Sequence, residues 1–279
     1  TIGGMGLTGI IFSCKIRLKK IESNKIVVDQ IKNYNLKETL KSINDSKNWE
    51  YNVAWIDTSP DDKQLGRSIL SRGYFLKEKN NNFFYNKDKL IINNLPNIFP
   101  FYFMNSLFIK ILNFIYFRFS KTGKKNTTID EFFYPLDKIN NWNVIYGKNG
   151  FISYQCSVPL KNSYETIYKI LATLKKYKIY SFVSVLKSMK QNNYLLSFGQ
   201  KGFTLVFDFP IYPTIFDVLN KIDDIVLKNN GRIYLTKDSR ILNKNFYKIN
   251  KEFKNNDFKK FRNKINYYFN SLQSKRLGI

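Results

Sequence analysis

The sequence predicts an α+β fold built on an antiparallel sheet whose helices cover one face. Short segments in which apolar and polar residues alternate recur along the chain, and such segments are typical of strands with one buried face. Between residues 150 and 237, two helix-like segments are interspersed among four of these strands. The resulting order, β-α-β-β-α-β, is that of a ferredoxin-like split βαβ domain.

Length and composition indicate a globular protein of one large domain or two. The chain has 279 residues, 43% of them hydrophobic and 17% aromatic, so it can bury a sizeable core. Its net charge of +25 favours an anionic partner, and a basic nucleic-acid-binding domain is the non-enzyme alternative. The basic residues are mostly lysines scattered along the chain without a run of five, so we expect no nucleic-acid partner.

Histidine and cysteine usage restricts the chemistry. The chain contains no histidine, which excludes Ser-His-Asp and Cys-His catalysis by its own residues and argues against a zinc enzyme. Cys14 and Cys156 are far apart and form no Cys-x-x-Cys motif, so no metal site is expected. Both lie on the apolar side of a strand pattern, and we expect two buried, reduced thiols in a cytoplasmic protein.

The first third of the chain is predicted to contain a glycine-rich turn, strands and one helix. Glycines at positions 3, 4, 6 and 9 precede an alternating segment, residues 12–18, that predicts a half-buried strand. Asn35 followed by Glu38 predicts the capped start of a helix that continues to about residue 43. Residues 51–56 and 68–76 are predicted to be strands.

Residues 98–119 are strongly apolar and aromatic. Lys110 and Arg118 interrupt this stretch, and each charge near a bilayer centre would cost roughly 2.5 to 3.5 kcal/mol, so we do not predict a transmembrane helix. We predict a helix at residues 106–119 that lies over a substrate pocket or on a membrane surface. Burial in the core is an equally good interpretation.

Residues 150–237 show the clearest pattern. We predict strands at residues 151–158, 180–187, 203–209 and 232–236. One helix is predicted to begin after Asn162, with Glu165 three residues on, and another to cover residues 213–228. Two helices on one sheet face complete the split βαβ arrangement.

Alternation divides the side chains of this sheet between two faces. One face is apolar, includes Tyr154, Phe182 and Leu205, and is expected to carry the helices. The other face mixes polar and apolar groups, which suggests a bound ligand or a second domain. Its members are Ser153, Gln155, Ser157, Val183, Val185, Lys187, Thr204, Val206 and Asp208.

The segment GRIYLTKDSR, residues 231–240, ends in a lysine and an aspartate close to where the last strand is predicted to stop. Functional side chains are often found at such positions. On spacing alone, a surface turn is the simpler interpretation. The polar groups Gln155 and Lys187 on neighbouring strands favour a functional site.

Several segments together resemble one enzyme family. They are GGMGLTGII (3–11), AWID (54–57), LGRSILSRG (65–73), FYPLD (133–137), WNVIYGKNGFISYQ (142–155), YSFVSVLK (180–187), FDFP (207–210) and GRIYLTKDSR (231–240). On these segments, in this order, the chain resembles the flavin-dependent oxidases of the vanillyl-alcohol-oxidase type, and within them those that act on polyprenyl-phosphate ribose.

The resemblance implies FAD-dependent oxidation of a sugar hydroxyl, the 2′-hydroxyl of a polyprenyl-phosphate pentose, by hydride transfer to flavin N5. An aldonolactone oxidase of the D-arabinono-1,4-lactone type is the enzyme alternative. The resemblance further implies non-covalent FAD, peripheral contact with the inner face of the membrane from the cytoplasm, and a partner reductase that completes an epimerisation.

The family's domain organisation implies three parts. Residues 1–20 would form the C-terminal edge of an FAD-binding domain, residues 21–235 the substrate domain, and residues 236–279 a helical segment that returns to the FAD domain. The family's N-terminal FAD loop has no counterpart in the 279 residues. We therefore expect a longer chain or a separate polypeptide to supply it.

The resemblance also implies roles for individual residues. The catalytic set would be Lys237, Gln155 and Lys187, with Lys237 nearest the reacting carbon. The flavin contacts would be Ile11, Tyr234, Gly6 and Gly9. The pocket walls would be Trp55, Phe133, Val183, Val185, Thr204 and Val206. Val206 and Thr204 stand where the family has cysteine and asparagine, so the polarity of the pocket is expected to differ.

Overall fold

A computed structural model describes residues 1–77, 95, 103–192, 194, 196, 198–249 and 257–279. The strands in this part of the chain are β1 (Lys25–Asn33), β2 (Tyr51–Ile56), β3 (Ser68–Phe75), β4 (Gly123–Thr128), β5 (Phe151–Pro159), β6 (Ser184–Met189), β7 (Gly202–Pro210) and β8 (Arg232–Ile233). They form one antiparallel sheet in the order β4-β1-β3-β2-β6-β7-β5-β8.

The helices of the described residues are α1 (Leu36–Asp45), α2 (Ser106–Phe119), α3 (Ile129–Phe133), α4 (Ser163–Lys176), α5 (Ile215–Lys228), α6 (Asn243–Ile249), α7 (Asp257–Lys264) and α8 (Leu272–Leu277). The apolar sides of α1, α4 and α5 pack against one sheet face. The predicted α+β class with an antiparallel sheet is confirmed. On the opposite face, α2 and α3 cover the half of the sheet that contains β1, β2 and β3.

The sheet consists of two four-stranded units that meet at β2 and β6. The second unit, β5 to β8 with α4 and α5, has the predicted β-α-β-β-α-β order. The first unit repeats that order as β1-α1-β2-β3-α2-β4, and its strands are arranged as the mirror of the second along the sheet. The junction pairs Ala54 with Leu186 and Trp55 with Val185, so side chains of both units share one continuous face.

The hydrophobic core lies between the sheet and α1, α4 and α5. Each of these helices places an apolar residue every three or four positions toward the strands, as Ile167, Ile170, Leu171 and Leu174 do in α4. Cys156 is buried in this core, as predicted, and burial raises the pKa of its thiol. The core fixes which face of the sheet remains for a ligand.

Two predicted helix starts have different outcomes. The Asn35 side chain accepts a hydrogen bond from the backbone N–H of Glu38 at 3.0 Å, and the Glu38 carboxylate accepts one from the Tyr34 N–H, so this cap is confirmed. The predicted cap by Asn162 is wrong. Asn162 has a left-handed backbone with φ of 62° and its side chain makes no capping bond, because a side-chain cap requires an extended backbone at that position.

Three strand predictions need correction. Residues 180–183 precede β6, and Phe182 therefore packs with Tyr116 on the face opposite the one predicted. β8 stops at Ile233, and a 3₁₀ turn, Leu235–Lys237, follows. Residues 12–18 form no strand, and Cys14 is exposed. In the described chain no strand lies beside residues 12–18, so alternation alone cannot bury their apolar side.

Helix α2 has the predicted bounds and is anchored by a buried polar cluster. Asp57 is fully buried and pairs with Arg67 at 2.8 Å. The Asn113 side chain, on the inner side of α2, donates to Asp57 Oδ1 at 2.8 Å, and Ser59 donates to the same oxygen at 2.7 Å. None of the described helices is long and apolar enough to cross a membrane. Residues 98–102 of the apolar stretch lie outside the described residues.

Candidate active site

A row of four side chains crosses the exposed sheet face at the junction of the two units. Trp55 pairs with Val185, Val185 with Val206, and Val206 with Gln155, each on the neighbouring strand. Strands lie about 4.8 Å apart, so the row extends roughly 14 Å from Trp55 to Gln155. Of the predicted site residues, these four are brought together on one surface.

A second row lies one pair further along the strands. Lys187 pairs with Thr204, and Thr204 pairs with Ser157. The Gln155 amide donates to Thr204 Oγ1 at 3.2 Å, and Thr204 in turn donates to the Cys156 carbonyl at 3.0 Å. Thr204 therefore fixes the orientation of the Gln155 side chain on the sheet face.

The turn that carries Lys237 is attached directly to this face. The Tyr234 N–H donates to the Gln155 carbonyl at 2.9 Å, and the 3₁₀ turn begins with the next residue. Ser153, Gln155, Tyr234 and Lys237 consequently line one small cleft. The structure thus brings Lys237 beside Gln155.

Salt bridges to α5 and α8 and a local hydrogen bond hold this turn in place. Asp238, just after Lys237, accepts the backbone N–H of Arg240 at 3.0 Å and pairs with Arg276 at 2.9 Å. Arg240 pairs with the buried Asp223 of α5 at 2.7 Å. Burial raises the pKa of Asp223, whereas the bond from Arg240 acts in the opposite direction. These contacts fix the position of the turn that carries Lys237. A simple surface turn would not need so many buried contacts.

The charges of the site interact with one another. Desolvation lowers the pKa of Lys187, and the like charge of Lys237 lowers that pKa further, although Lys187 still reaches solvent in the described chain. Burial raises the pKa of Asp208, while a hydrogen bond from Ser153 and the positive charge of Lys237 oppose this effect. Lys237 therefore stands within electrostatic reach of one cation and one carboxyl group.

Sequence reasoning placed Asp208 on the correct face but gave it no role. Its Ser153 contact follows from the strand register, in which the two residues are paired. The signal available in the sequence was a lone carboxylate in the strand segment FDFP, surrounded by apolar residues. A buried carboxyl group next to a candidate catalytic lysine is a common feature of active sites.

Comparison with known proteins relates the chain to an oxidase. The decaprenylphosphoryl-beta-D-ribose oxidase of Mycolicibacterium smegmatis (strain ATCC 700084 / mc(2)155) is 32% identical to the chain over 256 residues. The chain is a relative of this oxidase. The match covers 88% of the chain and 55% of the mycobacterial oxidase, so the chain spans about half the length of that relative. No protein-family model matches the chain.

A flavin is the cofactor that the family resemblance implies, and the residues of one cavity fit such a group. A cavity of about 750 Å³ is bordered by Gly3, Gly4, Gln155, Arg232 and Tyr234. The Tyr234 ring could pack on an isoalloxazine ring, Gln155 could bind its polar edge, and Arg232 suits a phosphate. A Cβ at Gly4 would lie 2.9 Å from the Thr1 carbonyl, so this turn at the cavity wall closes only with glycine.

The structure distributes the remaining predicted residues differently. Gly6 and Gly9 lie outside this cavity lining, and Ile11 is 66% exposed, so within the N-terminal glycine-rich turn it is Gly3 and Gly4 that border the cavity. Phe133 stacks edge-on against Tyr51 at 4.9 Å. The adjacent Phe132 lines a second cavity under α2 together with Val183 and Val185.

Proposed function

We propose that the chain forms the substrate-binding part of an FAD-dependent oxidase that converts a sugar hydroxyl to a ketone. The substrate we propose is a polyprenyl-phosphate pentose, as the name of the mycobacterial relative suggests, and the 2′-hydroxyl is the position of oxidation that the family resemblance implies. The observation that carries the proposal is the cluster of Gln155, Lys187 and Lys237 on one sheet face, beside a cavity with room for a flavin.

The side chains divide the work of alcohol oxidation. Bound flavin would supply the redox chemistry by accepting a hydride at N5. Lys237 stabilises the negative charge that develops on the substrate oxygen while hydride leaves the carbon that carries this oxygen. A fixed cation at that point stabilises the transition state more than the ground state. Gln155 orients a sugar hydroxyl, and Lys187 binds the substrate.

Oxidation of the alcohol also releases the hydroxyl proton. We assign its acceptance to the Asp208 carboxylate, which Ser153 connects to the sheet face by a hydrogen bond. Burial raises the pKa of Asp208, which makes the carboxylate a better base than an exposed aspartate. Lys237 holds the oxygen while the proton moves away from it.

Replacement of Asp208 tests this assignment. Asp208→Asn should lower the rate of flavin reduction by about 100-fold, within the range typical of general-base catalysis. The wild-type rate should fall as pH drops through the raised pKa of Asp208, because only the ionised form accepts a proton. The measurement is the pH profile of anaerobic flavin reduction.

The thermal stability of Asp208→Asn shows whether a loss of activity comes from a loss of folding. An acid whose pKa is raised in the folded state lowers the free energy of unfolding as pH rises from its unfolded pKa through its folded pKa, so the neutral amide should be at least as stable as wild type at pH 7. A thermal melt checks this. An unchanged rate and pH profile in Asp208→Asn would remove Asp208 from the proton path.

The proposed activity is tested by offering different substrates, in the absence of oxygen, to the flavin-loaded protein that includes the part supplying the FAD loop. A polyprenyl-phosphate ribose should bleach the flavin absorbance, whereas D-arabinono-1,4-lactone should not. Bleaching by the lactone alone would favour the aldonolactone oxidase. A partner reductase would then not be needed, since no epimerisation would have to be completed.

We further propose that α2 contacts the cytoplasmic face of a membrane. Its outer side exposes Leu107, Phe114 and Phe119 by 68%, 56% and 74%, and Lys110 and Arg118 flank them. Apolar and basic groups on one exposed helix face suit an interfacial helix on anionic lipid. The net charge of +25 adds a general attraction.

Vesicle binding tests the role of α2. Wild type should bind anionic vesicles in a salt-sensitive manner, and Leu107→Glu combined with Phe114→Glu should weaken binding by about tenfold or more. Leu242→Glu, which changes a 51% exposed leucine outside α2, is the control and should bind like wild type. Equal binding to neutral and anionic vesicles would refute the electrostatic part.

A further inference from the structure

A second cavity lies on the same sheet face, in the half that α2 and α3 cover. Its volume is about 500 Å³, and apolar side chains of β1, β2, β3 and β6 predominate in its lining, alongside the charged side chains of Lys121, Lys125 and Glu131. Trp55 forms one wall: its indole N–H donates to the Phe182 carbonyl at 2.7 Å, and the Tyr116 ring of α2 lies 4.8 Å away. Ile69 and Phe132 form other walls. The size is that of a ligand pocket.

This cavity continues the proposed sugar site instead of standing apart from it. Trp55 and Val185 line the cavity, and the same two residues begin the row that leads through Val206 to Gln155. Along the face, the lining therefore changes from polar groups at β5 to apolar groups at β2 and β3. A ligand that fits both halves must be polar at one end and apolar at the other.

Lys187 stands at the boundary between the two halves. β2 and β6 pair Trp55 with Val185 and Ala54 with Leu186. The same alignment continues beyond these pairs, because the Ser188 hydroxyl reaches the Asn52 side-chain oxygen at 3.5 Å. This alignment brings Lys187 beside Val53, which lines the apolar cavity. A partly desolvated ammonium at the junction of a polar and an apolar surface is suited to a phosphate group.

We propose that the cavity under α2 and α3 binds the first isoprene units of the substrate, with Lys187 on the phosphate that joins them to the sugar. This inference rests on the proposed oxidation of a polyprenyl-phosphate sugar and names the place of its lipid chain. The sugar then occupies the polar half next to Lys237. Because α2 both covers the cavity and exposes an apolar outer side, the isoprenoid chain of the substrate can enter the cavity from the membrane.

Binding of farnesyl phosphate to the flavin-loaded protein, measured by calorimetry, tests the proposal without requiring turnover. Val53→Phe places a larger side chain in the cavity and should weaken farnesyl phosphate binding about tenfold or more, since several carbon groups of the farnesyl chain can no longer be buried there. Leu160→Phe, at a leucine outside the cavity lining, is the matched control and should bind like wild type. Tyr116→Ala, on α2, should also weaken farnesyl phosphate binding, and it leaves the strands of the sheet unchanged.

The phosphate contact has its own comparison. Lys187→Met should weaken the binding of farnesyl phosphate but leave the binding of farnesol unchanged, since only farnesyl phosphate carries a negative charge.

Unchanged farnesyl phosphate binding in both Val53→Phe and Tyr116→Ala would overturn the proposal. If ribose 1-phosphate still bleaches the flavin in that case, only the lipid site is wrong. If farnesyl phosphate binds as expected and no sugar reduces the flavin, the oxidase function is wrong instead.

Discussion

Replacing Lys237 by methionine is expected to slow flavin reduction by about 100- to 1,000-fold, roughly 2.7 to 4 kcal/mol of transition-state stabilisation. The turn that carries Lys237 is held by Asp238, Arg240 and their partners, none of which the substitution removes. The fold and the bound flavin should therefore persist. Stopped-flow bleaching of the flavin in the absence of oxygen isolates this step from reoxidation.

Lys187→Met is the matched comparison for Lys237→Met. If Lys187 only binds the substrate, its loss should raise KM more than it lowers kcat, whereas Lys237→Met should lower kcat at saturating substrate. Both variants remove one cation from the same sheet face. Near-normal bleaching in Lys237→Met would mean that residues 231–240 are only a surface turn.

Asp57→Ala is expected to lower the free energy of unfolding by about 3 to 5 kcal/mol. The substitution leaves the buried guanidinium of Arg67 without its carboxylate and removes one of the acceptors of the Asn113 amide on α2. Arg67 keeps Gln64 and Asn113 keeps the Ser181 carbonyl, so the main cost is a buried cation without a counter-charge. Because α2 covers the apolar cavity, farnesyl phosphate binding should weaken as well. Urea denaturation measures the stability change.

Asp62→Ala provides the control for Asp57→Ala. Asp62 belongs to the same connection between β2 and β3 and pairs with Lys175 at 2.6 Å, but its side chain is 76% exposed. An exposed pair of this kind contributes at most about 1 kcal/mol. If Asp57→Ala were as mild as Asp62→Ala, the buried cluster would not be what holds α2 on the sheet.

Alternation predicted the second half of the fold well because both determinants of a strand were present. Residues 151–158 and 203–209 alternate, and they also have neighbours whose pairing buries one side. Residues 12–18 alternate equally well, yet they form no strand, since no described strand pairs with them. β1 was not predicted, because its sequence KIVVDQIKN interrupts the apolar pattern with charged residues.

The candidate site followed from two different kinds of reasoning. Alternation alone placed Gln155, Lys187 and Thr204 on one face, and the register confirms that placement. The position of Lys237 beside Gln155 depends on the 3₁₀ turn after β8, which local propensity did not predict. The Asp57 cluster joins two segments distant in sequence, the connection between β2 and β3 and helix α2, so single-segment patterns could not reveal it.

Product analysis after one anaerobic turnover tests the central claim most directly. The flavin-loaded protein would be mixed with a polyprenyl-phosphate ribose, and the sugar released after flavin bleaching would be identified by mass spectrometry. The sheet-face site predicts one equivalent of the 2′-ketone for each flavin reduced. An unbleached flavin, or oxidation at a carbon other than C2′, would contradict it.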